Sequence, residues 1–167
     1  MSCPVVTPLV RPAHAAELAD VGALCEAVYL GEGLAGPGYG PALRDAAGRA
    51  RDADVLVAVD PTDNALLGSV TFCLPGSPLS QIAGPHDAEF RMLVVTPNAR
   101  GRGVGRALVL ACADAARAAG CTHLRLTTKQ VMVDASRLYV RLGFHRTPER
   151  DWTGRTSEPF ATYALDL

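Results

Sequence analysis

The segment MLVVTPNARGRGVGRALVLACADAARAAG, Met92 to Gly120, places a run of apolar residues before a proline turn, a glycine-rich loop and an Ala/Leu-rich stretch of helical period. Read outward from the loop, it predicts a buried strand ending near Val95 and a long helix from about Gly103 to Ala119. Gly101, Gly103 and Gly105 lack side chains, so the backbone can turn tightly there and expose its N–H groups to a ligand. At a helix N-terminus about four such donors lack partners, and the macrodipole adds roughly half a positive charge. Arg100, Arg102 and Arg106 add full charges around the same turn, which favours a pyrophosphate over a single carboxylate. A tight strand-to-helix turn with no ligand would use the same glycines. Along the helix, Val104, Leu108, Ala111, Cys112 and Ala115 form the face expected on the sheet, with Arg102, Arg106, Asp114 and Arg117 opposite.

Two common phosphate motifs do not fit. A Walker loop ends in Gly-Lys-Ser/Thr, but Gly105 is followed by Arg106 and Ala107, and the only lysine of the chain is Lys129. A dinucleotide GxGxxG needs a third glycine where Arg106 or Leu108 stands.

Before this segment the pattern is that of a mixed α/β domain. Pro4 to Pro12 reads as an edge strand, and Ala16 to Leu30 as a helix with Leu18, Val21, Leu24, Cys25 and Val28 on one face. The Gly/Pro-rich stretch Gly31 to Pro41 is a loop: either a plain connector, or a wall of an acceptor pocket in which Glu32 and Tyr39 meet substrate. A polar helix follows over Ala42 to Ala53. Strands Val55 to Asp60 and Ala65 to Leu74 form a hairpin, and Glu89 to Val95 lies antiparallel beside it. After the long helix come a strand His123 to Thr128, a short helix Val133 to Leu142 and two further strands around a Gly/Ser/Pro loop. This βαβα order favours one parallel pair, so the sheet is expected to be mixed.

Composition narrows the function. With 49% hydrophobic and 20% charged residues the chain can bury a core, and 167 residues suit a single domain spanning 1–167. A formal charge of -1 with dispersed arginines gives no basic arm for nucleic acid. The N-terminal residues carry no secretory pattern and no apolar run is long enough for a membrane span, so a cytoplasmic protein is expected. Cys3, Cys25, Cys73, Cys112 and Cys121 are scattered, odd in number and without CxxC spacing, which suits buried thiols better than a disulfide framework or zinc. The four histidines show no metal-ligand spacing, and no metal is expected.

Arg100-Gly101-Arg102-Gly103-Val104-Gly105 resembles the acetyl-CoA signature Arg/Gln-x-x-Gly-x-Gly/Ala of the GNAT N-acetyltransferases. Leu93-Val94-Val95-Thr96-Pro97 before it looks like that family's splayed strand. Ala135-Ser136-Arg137-Leu138-Tyr139 and Leu142-Gly143-Phe144 look like its second block. The motif-level likeness covers about Glu89 to Phe144. It implies a mixed, predominantly antiparallel sheet of about seven strands with four helices, whose two central parallel strands splay to admit the pantetheine arm.

The resemblance further implies acetyl-CoA as cosubstrate and a small-molecule or peptide amine as acceptor, attacked directly in a ternary complex; a homodimer is common in the family. Backbone groups of Leu93, Val94 and Val95 would bind the acetyl carbonyl and pantetheine amides, and residues Arg100 to Arg106 the pyrophosphate. Tyr139 stands where the family often has a tyrosine that protonates the departing thiolate; a core aromatic is the other reading of that residue. Glu89, at the start of the splayed strand, is the candidate general base, with Asp87 and His86 behind it; a solvated strand-end carboxylate is the other reading of Glu89. A base matters most for a lysine-like amine, of which only roughly one molecule in two thousand is neutral at pH 7. Arg91 is placed to hold Glu89 or a substrate carboxylate. One departure is Met132, which stands where many relatives have an Asn that bonds the pantetheine. Two other functions stay open from sequence: a non-catalytic acyl-CoA-binding module, and an acyltransferase with another donor or acceptor.

Overall fold

In β2 (Asp54–Val59), Val55, Val57 and Val59 alternate with Leu56 and Ala58, all of them buried, so this strand has to be covered on both faces. The structure, a computed structural model, describes residues 7–167, and the expected strand residues before Thr7, like Cys3, lie outside them. The three valines join Val21, Cys25 and Val28 of α1 (Leu18–Gly31), Leu43 of α2 (Gly40–Arg44) and Ala46 of α3 (Ala46–Asp52). Leu56 and Ala58 join α4 (Val104–Ala118) and Tyr139 of α5 (Val133–Arg141) on the other face.

The sheet between these layers runs β1 (Leu9–Pro12), β2, β3 (Leu66–Cys73), β4 (Asp87–Val95), β5 (His123–Lys129), β8 (Pro159–Asp166), β6 (His145–Arg146), with β7 (Trp152–Thr153) also paired to β8. Only β4 and β5 are parallel neighbours among the described residues; the other pairings are antiparallel. The mixed, mostly antiparallel architecture is as expected, with eight strands and five α-helices among the described residues. The additional helix arises where the stretch expected as one helix breaks at Asp45, which leaves the helical region at ψ 61 and caps α3 by accepting from the Gly48 N–H at 2.8 Å. No helix among the described residues is long and apolar enough to cross a membrane.

In α4, Val104, Leu108, Val109, Cys112, Ala113 and Ala116 are buried, with Ala111 and Ala115 at the margin and Arg106, Asp114 and Arg117 outside. The helical period thus chose the face, and burying Leu108 or Val109 alone contributes roughly 1.5–3 kcal/mol. Cys25, Cys73, Cys112 and Cys121 are buried free thiols.

On the other face, α1 and α2 meet closely. A Cβ at Gly22 would stand 2.0 Å from the Arg44 carbonyl oxygen, a backbone atom that cannot rotate away. Gly22→Ala should therefore destabilise the protein by about 3 kcal/mol, the upper end for overpacking, lowering the thermal midpoint by roughly 6–12 °C. An unchanged midpoint would mean that α2 shifts freely on α1.

Candidate active site

β4 carries two irregularities that create the site. It pairs with β5 only over Asp87, Ala88 and Glu89, opposite His123, Leu124 and Arg125; beyond Glu89 the two strands separate. It also holds one extra residue against β3, since Ser69 faces Val94 while Thr71 faces Arg91, and Met92 sits in this bulge at φ 53. The bulge resets the alternation. Ala88 and Phe90 face the α4 core, and so do Leu93 and Val95, whereas Met92 and Val94 turn to the α1 core.

The gap is a cavity of about 720 Å³ that reaches through the sheet. Tyr29 of α1 and Tyr39 line it from one side, and Tyr139 of α5 from the other. Arg91, Met92 and Leu93 form the β4 wall, Thr127 to Lys129 the β5 wall, and Trp152, Arg155, Glu158 and Phe160 of the β7–β8 hairpin close it. The hairpin is held by Lys129, which pairs with Glu158 at 2.9 Å, and by Trp152, stacked on Phe160 at 4.4 Å and donating from Nε1 to Thr127 Oγ1 at 3.3 Å.

Tyr139 is buried in an aromatic cluster, its ring 5.8 Å from those of Phe90 and Phe144 and 6.2 Å from that of Tyr163. It is therefore both core aromatic and cavity wall. Burial raises the pKa of this phenol, and likewise that of Tyr29, so both remain protonated donors at neutral pH. No protein partner meets the Tyr139 hydroxyl among the described residues.

Glu89 is fully buried at the fork of β4 and β5. Its Oε2 accepts the N–H groups of Gln81, Ile82 and Ala83 at 2.9, 3.0 and 3.1 Å, while Oε1 has no partner. Burial raises its pKa against those three bonds and the nearby Arg91 charge. The carboxyl lies one layer behind the wall to which Gln81 belongs. Arg91 does not hold it: Nη1 donates to the Leu79 carbonyl at 2.9 Å and Nη2 to the Tyr39 hydroxyl at 3.0 Å. Asp87 and His86 lie at the opposite end of β4, where Asp87 accepts from Arg125 Nε at 2.6 Å and from Gly84 N–H at 3.0 Å.

At the C-terminal end of β4, Gly101 and Gly103 adopt φ 74 and 81, and a Cβ on either would meet nothing. Backbone conformation, more than a close contact, requires glycine there. Gly105 differs, since its Cβ would come within 3.3 Å of Leu138 and 3.7 Å of Val95, so the start of α4 is packed between α5 and β4. Arg102 and Arg106 are exposed and have no ion-pair partner among the described residues; Arg100 pairs with Glu32 at 2.6 Å, tying the connection between α1 and α2 to this turn. Unneutralised arginines around free N–H groups at a 15-residue helix suit a polyphosphate. Val94 and Val104 are core residues, available to a ligand only through their backbones.

The cavity thus gathers Leu93, Tyr139 and Tyr39, places Arg100 to Arg106 at the same end of β4, and leaves Glu32 outside. Met132, at the N-cap of α5, puts a thioether on the cavity wall. Tyr29, Trp152, Lys129 and Glu158 gave no sequence signal, because they come together only through the sheet.

The family model of the GNAT acetyltransferases matches residues 26–144. The chain belongs to the GNAT acetyltransferase family. Among solved structures, a GCN5-related N-acetyltransferase from Kribbella flavida is 26% identical, with 96% of this chain and 98% of that chain covered and a TM-score of 0.72. A GNAT acetyltransferase from Staphylococcus aureus Mu50 shares the fold at 12% identity, TM-score 0.75, over 96% and 99% of the two chains. A GNAT phosphinothricin acetyltransferase from Sinorhizobium meliloti, solved with acetyl-CoA, does so at 20% identity, TM-score 0.71, over 96% and 89%. No curated protein matches the chain. The GNAT assignment agrees with the splayed strands and with the glycine turn beside them.

Proposed function

We propose that this GNAT chain is a single-domain enzyme that transfers acetyl from acetyl-CoA to an amine by direct attack in a ternary complex. The observation that carries the reading is the gap beyond Glu89, where the β4 edge has no strand partner and the Tyr139 phenol lines the opening. Acetyl-CoA, present in the Sinorhizobium structure, would supply the acetyl group as an activated thioester.

The backbone of Leu93, Val94 and Val95 serves as a strand edge for the amide-bearing arm, and one of its N–H groups stabilises negative charge on the reacting carbonyl oxygen. Arg100 to Arg106 and the free N–H groups at the start of α4 hold the pyrophosphate. Tyr139, kept protonated by burial, donates to the departing sulfur. Glu89 takes the amine proton on Oε1, the carboxylate oxygen with no hydrogen-bond partner.

The first test is CoA thiol release from acetyl-CoA against amino acids, polyamines, aminoglycosides and short peptides. Release with one class supports the enzyme; none with any amine, acetyl-CoA still bound, supports a binding module instead.

Glu89→Gln tests the base separately. Its amide oxygen can still accept the three loop N–H groups, so the fold is retained, while kcat/KM should fall about 10²-fold. The pH dependence has a definite sign. Because the folded-state pKa is raised, Glu89 contributes stability below the ordinary glutamate pKa, lost as pH rises through the raised value. The wild type should lose that contribution between these two pKa values and also gain activity there as the base ionises. Glu89→Gln should show neither change; wild-type kcat/KM in this variant would leave Glu89 as a loop anchor only.

A further inference from the structure

We propose that the acceptor is an amine that also carries a carboxylate, an amino acid with an apolar side chain, and that Arg91 recognises the carboxylate. The proposal rests on the acyl-transfer reading above and adds the class of acceptor. Its basis is the charge of the cavity wall. The charged side chains lining the cavity are Arg91, Lys129, Arg155 and Glu158, three cations against one anion, a formal charge of +2. Glu158 is engaged by Lys129, and Glu89, the acid near Arg91, is turned to the loop N–H groups, which leaves the two guanidinium groups without an ion-pair partner among the described residues. The pantetheine arm is uncharged and the CoA phosphates have arginines of their own at 100–106, so neither neutralises this wall. A polyamine or a lysine-rich tail adds positive charge and is repelled, whereas an anionic group on the acceptor is attracted.

Arg91 offers directed recognition as well as charge. Of its five N–H donors two are committed, to the neutral oxygens of Leu79 and Tyr39, which fix the plane of the guanidinium and leave three for a carboxylate. Glu89, two residues earlier on the same face, is turned to the loop N–H groups and makes no hydrogen bond to Arg91. The bulge at Met92 comes directly after Arg91, so the guanidinium stays on the Tyr29 and Tyr39 side while Leu93 turns to the other face. A carboxylate held there leaves the rest of the acceptor facing the gap, between the Tyr39 ring and the stacked Trp152 and Phe160. Those aromatic surfaces suit an apolar side chain.

The test measures CoA release by the full chain with apolar L-amino acids, each paired with its carboxamide, and with spermidine. The acids should exceed their amides by roughly 10- to 100-fold in kcat/KM. Arg91→Gln should abolish that preference with the KM for acetyl-CoA unchanged, and Arg91→Lys, which keeps the charge without the fork, should retain part of it. Equal use of acid and amide, preference for spermidine, or an undiminished preference in Arg91→Gln would overturn the proposal. Absence of CoA release with every amine would instead count against acyl transfer itself. Calorimetric binding of the same acid and amide pairs to CoA-saturated protein then decides: Arg91-dependent binding of the acids supports the proposal, and its absence sinks it.

Discussion

Tyr139→Phe should lower turnover by about 10²-fold or more while leaving acetyl-CoA affinity within about twofold of wild type. The substitution removes one oxygen and keeps the ring, so the contacts with Phe90, Phe144 and Tyr163 remain and the core has no reason to loosen. What is lost is a proton donor in a desolvated wall, where a phenol with a raised pKa stays protonated through neutral pH. Steady-state kinetics with acetyl-CoA and the best acceptor, set beside calorimetric titration of CoA, separates the two effects. A fall in both turnover and affinity would make Tyr139 a packing residue, and unchanged turnover would move proton donation elsewhere, with the Tyr29 phenol the next group on the cavity wall.

Asp87→Ala should cost about 3–5 kcal/mol of stability. Asp87 and Arg125 are both buried and bonded at 2.6 Å, so removing the carboxylate leaves a guanidinium stranded between β4 and β5. Adding Arg125→Met to the same chain should recover most of the loss, since the stranded charge and not the missing bond dominates the penalty. Burial pushes the Asp87 pKa up, but the hydrogen bonds from Arg125, the Gly84 N–H and His123, with the Arg125 charge, outweigh it and hold it below the ordinary aspartate value. The pair therefore stabilises the fold above that ordinary value and loses its contribution as pH falls through the lowered pKa. Urea unfolding of the wild type, the single variant and the double variant measures all of this; a double variant no more stable than Asp87→Ala would refute the account.

Asp87 also shows how far the site could be read from sequence. As an acid two residues from Glu89 it resembles a second candidate base, and nothing local distinguishes them. The register opposite His123 to Arg125 does, because it sets Asp87 at the closed end of the β4–β5 pair and Glu89 at the point where the strands part. The connection between α1 and α2 divides in the same way: Tyr39 reaches the cavity and Glu32 goes to Arg100.

The sequence by itself determined the elements whose cause is local. A 3.6-residue apolar period made α4, alternating valines made β2, and glycines able to hold positive φ made the turn at Arg100–Arg106. It also carried the family motif, because that motif is a contiguous run along the chain. Only the tertiary structure decided where β4 leaves β5, that the bulge at Met92 redirects Arg91 from Leu93, and that Tyr29, Trp152 and Glu158 share a cavity with Tyr139. These are consequences of strand register and of packing between residues far apart in the chain, whose energies depend on neighbours that no local pattern specifies.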